Sequence, residues 1–126
     1  MVDRILADLV PPSASNQPSF EGLVRKWSRV AERTLSTYDM TLDDYLNDVA
    51  ARDVLEDLIS RLPKESGQRL VEALQRTDAQ FRSGTVEVTY LSGQHWWGRR
   101  LPSSMGDEIS EQARELAETV RRREDR

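Results

Sequence analysis

Two pairs of aspartates pose the first question of chemistry. Asp44 and Asp48 stand four residues apart, as do Asp53 and Asp57. On a helix each pair shares a face. Two carboxylates on one face, helped by another element, are a plausible hold for Mg²⁺. Such pairs also arise on any solvated acidic helix, and no second cluster of Asp, Glu or His stands elsewhere in the chain to complete a shell. The metal reading therefore rests weakly on Asp44 and Asp48, and no resident metal or cofactor is expected.

Nucleophilic catalysis fares worse. It needs an oriented base beside a nucleophile, and His95 is the sole histidine. It lies in a loop-like stretch without a serine in a strained Gly-x-Ser-x-Gly setting. There are no cysteines, so thiol nucleophiles, thiolate metal sites and disulfides are excluded. The six glycines are scattered and form no phosphate-cradling loop. The reading is more a non-enzyme than an enzyme.

The stretch Gln94-His95-Trp96-Trp97-Gly98-Arg99-Arg100 is different in kind. It holds two of the three tryptophans beside two arginines, the composition of binding hot spots. His95, Trp96, Trp97, Arg99 and Arg100 are the candidate binding residues. If the stretch is extended, the two indoles point to opposite sides. One would cover the core; the other would stack on an arginine or await a partner. Which ring turns inward is open at this level.

Two charged residues interrupt apolar stripes. Arg52 falls between Val49 and Leu55, and Asp78 between Leu74 and Phe81. A buried lone charge is costly. Either both residues sit at a stripe's edge and reach water, or they face each other as a structural ion pair across two helices.

The elements that must position these groups follow from periodicity. The patch Ile5, Leu6, Leu9 and Val10 suits a short helix, and Pro11–Pro18 reads as a flexible or extended linker. A helix then starts near Ser19 as N-cap, with Phe20, Leu23, Val24, Trp27, Val30, Ala31 and Leu35 on its stripe. Thr41 and Asp44 form a capping-box signature for a second helix, which Pro63 ends. A third runs to about Arg82, with Gly84 as its C-terminal cap. TVEVTYL (85–91) alternates like a strand, and HWWGRR could pair back on it or form a long surface loop. A last helix begins near Ser104 or Asp107 and ends in a solvated Arg121-Arg122-Arg123.

The predicted fold is mostly α: a bundle of three to five helices with one short β-hairpin or long loop at about 85–100. Residues 1–18 would be an N-terminal segment with linker, and 19–126 a single helical domain. The net charge of −4 argues against nucleic acid, whose binding depends on neutralising phosphates. A basic stretch (Arg25, Lys26, Arg29, Arg33) precedes an acidic one (Asp39 to Asp57), as two attracting helices would. No apolar run is long enough for a membrane, and Asp3, Arg4 and Asp8 break any signal-peptide core. A cytoplasmic location fits the cysteine-free chain. These features suggest a small protein-binding module: an inhibitor, an immunity-type protein or a regulatory adaptor. A metal-dependent enzyme using the acidic helix, or a self-assembling structural subunit, is the alternative.

Overall fold

The computed structural model describes residues 19–124. The expected N-terminal helix and linker, residues 1–18, lie outside the described residues. Helix α1 spans Phe20–Thr34; the Ser19 side chain accepts from Gly22 N at 2.9 Å, satisfying one of the free first-turn amides. Its stripe buries Leu23, Trp27, Val30 and Ala31.

Helix α2, Leu42–Arg61, opens with the capping box that its sequence encodes. Asp44 N donates to Thr41 Oγ1 at 3.1 Å, and Thr41 N donates to Asp44 Oδ2 at 3.4 Å. Its buried positions Leu42, Tyr45, Val49, Leu55 and Leu58 are joined by Ala51, Asp48 and Arg52. They cover most of the helix circumference, because α2 is the central element with neighbours on several sides. Helix α3, Lys64–Ser83, follows Pro63, whose fixed φ (−55°) suits a helix start. It buries Leu70, Leu74 and Phe81 against α1 and α2. The rings of Trp27 and Phe81 meet at 4.6 Å, and those of Tyr38 and Tyr45 at 5.3 Å edge to face.

Gly84 is the C-terminal cap of α3, its N–H donating to Gln80 O at 3.1 Å, but with φ −94° it does not adopt the left-handed conformation. Its missing side chain serves a close approach instead: a Cβ there would lie 2.5 Å from the carbonyl oxygen of Thr34. The ends of α1 and α3 are thereby pressed together.

The strand expectations need correction. Of TVEVTYL only Thr85–Glu87 is strand, β1. It pairs antiparallel with β2, Arg100–Pro102, Thr85 opposite Pro102 and Glu87 opposite Arg100. Of HWWGRR only the final Arg100 belongs to the return strand. A last bond, Val88 N to Arg99 O at 2.9 Å, closes the ladder. Beyond it the chain leaves the ribbon, and Trp96–Arg99 forms a 3₁₀ turn in which Gly98 N donates to His95 O at 3.0 Å.

Helix α4, Asp107–Glu124, buries only Ile109 and Ala113. It is tied down at its start: Gly106 N donates to Tyr38 O at 2.7 Å, and Tyr38 N to Ser104 O at 2.9 Å. The Gln112 side-chain Oε1 accepts from Leu42 N at 2.7 Å, filling another first-turn donor of α2. The architecture is a mostly α bundle of four helices with a short two-stranded ribbon. Among the described residues, no helix is long and apolar enough to cross a membrane.

Candidate binding site

The site is built on the α2–α3 seam. Arg52 is buried, and it reaches Asp78 bidentately: Nε to Oδ1 at 3.0 Å and Nη2 to Oδ2 at 3.0 Å. Its Nη1 donates to Glu56 Oε2 at 2.8 Å, one turn on. Asp78 Oδ1 also accepts from the Trp27 indole at 2.9 Å, so α1 joins the same network. Burial alone would lower the Arg52 pKa; the hydrogen bonds and charges of Asp78 and Glu56 outweigh it and hold it above its ordinary value. At this point the seam is closed by a satisfied charge, beside the leucines that α2 and α3 bury in the core.

The 3₁₀ turn straddles this seam. Trp97 is 3% exposed and lies on the α2 side. Its indole N–H donates to Asp53 Oδ1 at 2.7 Å, and the Arg52 guanidinium carbon sits 4.4 Å from its ring centre. His95 stacks on the same indole, centroids 4.5 Å apart at 15°. Trp96 takes the α3 side, half-buried. It packs on Phe81 at 6.1 Å and carries the Arg82 guanidinium carbon 4.2 Å from its ring centre. The two indoles meet edge to face at 5.5 Å.

Backbone geometry makes this possible. Gly93 and Gly98 pinch the loop shut: a Cβ on Gly93 would lie 2.6 Å from the Gly98 carbonyl carbon. With the turn closed there, alternation of side chains no longer applies. Both tryptophans face helices, on either side of the α2–α3 seam, instead of one facing in and one out. Neither Arg99 nor Arg100 stacks on them. Arg100 turns toward the end of α3, donating to Thr85 Oγ1 and Thr85 O, each at 2.8 Å, and to Arg82 O at 3.2 Å. Arg99 reaches Gly93 O at 3.4 Å and Glu87 at 3.8 Å. These two arginines hold the loop's base.

A cleft opens on each flank of the turn. On the α2 side, about 510 Å³ is lined by Asp53, Glu56, Asp57, Gly93 and His95 among others. On the α3 side, about 460 Å³ is lined by Gln75, Asp78, Ala79, Arg82, Ser83 and Trp96. The first is acidic. The second holds one acid, already bonded, and one arginine.

The aspartates of the metal reading are dispersed. Asp44 serves the capping box, and Asp48, itself buried, faces Arg29 at 3.4 Å. Asp53 holds Trp97, and Asp57 faces Arg61 at 3.3 Å. Among the described residues, no group of three or more His, Cys, Asp or Glu is arranged to hold a metal. Arg82 and Gln75 carry no signal in the sequence, and Asp53 stands out there only as one of a pair of aspartates. Arg82 is one of many arginines at a helix end, and nothing local marks it as the partner of a tryptophan fourteen residues away. Asp53, four before Asp57, reads as one half of a solvated pair.

No protein-family model matches this chain, and neither the curated proteins nor the solved structures give a match.

Proposed function

We propose that this protein is a binding module that contacts another protein through the surface formed by Trp96 and Arg82 and the cleft beside them. One observation carries the reading. An exposed arginine is held on a half-buried tryptophan, with no carboxylate partner among the described residues. Trp and Arg are the residues over-represented at interface hot spots. An arginine restrained before contact loses less freedom on binding. The ring is backed by Phe81, so its position is fixed by packing from behind.

Labels such as inhibitor, immunity-type protein or adaptor describe what such contact does to the partner, and belong to that same proposal. A photo-cross-linking amino acid at Gln75 or Ala79, in the cleft, tests it in the native host. A discrete protein adduct should form from these positions and none from Arg25 on the exposed face of α1. Equal labelling from all three positions would count against it.

A further inference from the structure

We infer that the cleft beside Trp96 takes a carboxylate, carried on an acidic segment of the partner protein. This rests on the reading of that cleft as the contact surface and adds the chemistry it selects. The reason is unmatched charge. The cleft has two charged side chains in its lining, Asp78 and Arg82. Asp78 is satisfied: Oδ1 accepts from Arg52 Nε and Trp27 Nε1, and Oδ2 from Arg52 Nη2. Arg82 has no ion-pair partner among the described residues, so it is the uncompensated charge of the cleft.

The guanidinium fork matches a carboxylate in two parallel hydrogen bonds. Its seat over the indole holds that fork at the cleft wall. The remaining lining adds neutral polar groups, Gln75 and Ser83, and an apolar floor from Ala79 and the Trp96 ring. That floor suits an aliphatic neighbour of the acidic residue. A phosphate is the poorer fit. Phosphate-reading sites gather several cations, whereas this cleft offers one arginine beside an aspartate.

The test is a titration of the ¹⁵N-labelled full chain, reading the Trp96 indole N–H and the Arg82 Nε–H. Three capped tripeptides serve as probes: Leu-Glu-Leu, the neutral isostere Leu-Gln-Leu, and Leu-phosphoserine-Leu. The glutamate peptide should shift both signals saturably, with the glutamine peptide about fivefold weaker, as an exposed ion pair allows. In Arg82→Gln the difference between the two should vanish. No saturable response to the glutamate peptide, an equal response to both, or a preference surviving in Arg82→Gln would overturn the carboxylate assignment. So would a phosphoserine peptide binding about tenfold tighter than the glutamate one, since two more phosphate contacts than the cleft shows would be needed. If the cleft cross-links to a protein but these titrations fail, the contact surface stands and only its chemistry falls. If the cross-links fail too, the surface itself is misassigned.

Discussion

Arg52 and Trp97 are locked face to face: the guanidinium carbon lies 4.4 Å from the indole centre while the same guanidinium grips Asp78. One buried arginine therefore joins three elements, α2, α3 and the 3₁₀ turn. The site is only as well placed as this joint.

Removing Arg52 takes from the half-buried Asp78 its counter-charge and two of its three hydrogen bonds, leaving only the Trp27 indole. Arg52→Ala should destabilise the chain by about 2–3 kcal/mol, below the usual cost of breaking a fully buried pair because Asp78 is part-exposed and keeps the Trp27 indole, whereas the exposed Arg25→Ala should stay within about 0.5 kcal/mol. Chemical denaturation of the two variants checks this. Equal, small effects would mean the joint carries no load.

The ion pair also shows what the sequence could reveal. Arg52 and Asp78 stand out because each breaks an apolar stripe, and the caps at Ser19 and Thr41 are legible because their chemistry is local. The path of residues 88–99 was not legible. Its alternation suited a strand, but Gly93 and Gly98 close on each other across the loop, a contact no window of sequence displays. The pairing of Trp96 with Arg82 was hidden for the same reason. It depends on the turn lying over the α2–α3 seam, which is a tertiary fact.

That closure predicts a second effect. Gly93→Ala places a methyl 2.6 Å from backbone atoms of Gly98, which cannot swing aside as a side chain would. The turn should open, and the Trp97 indole should lose Asp53. The expected sign is a red shift of tryptophan emission with the far-ultraviolet helical signal kept. An unchanged emission spectrum would show that the loop absorbs the methyl.

Alkaline pH gives a third test. Burial, with the nearby Asp48 carboxylate next, pushes the Tyr38 hydroxyl up to about 12, and burial raises Tyr45 and Tyr90 as well. A folded pKa above the unfolded one favours the folded state below the unfolded value, ordinarily near 10. That contribution fades as pH rises from there through the folded pKa. Phenolate absorbance should therefore lag in the native chain near pH 10 and rise steeply with unfolding toward pH 12. Ordinary titration of all three tyrosines near pH 10, with the fold intact, would refute it.

Trp97 holds the turn in place, and in the proposed function Trp96 is the ring that meets the partner. The direct measurement is to make Trp96→Ala and Trp97→Ala and record, for each, the melting temperature and the affinity for the protein captured by cross-linking from the cleft. Trp97→Ala should cost about 3–5 kcal/mol of stability, as a buried tryptophan does. Trp96→Ala should remain folded, with a far smaller loss of melting temperature, and should weaken partner binding by at least about tenfold, the scale of a hot-spot truncation. Equal destabilisation by both, or full binding by a folded Trp96→Ala, would contradict the account.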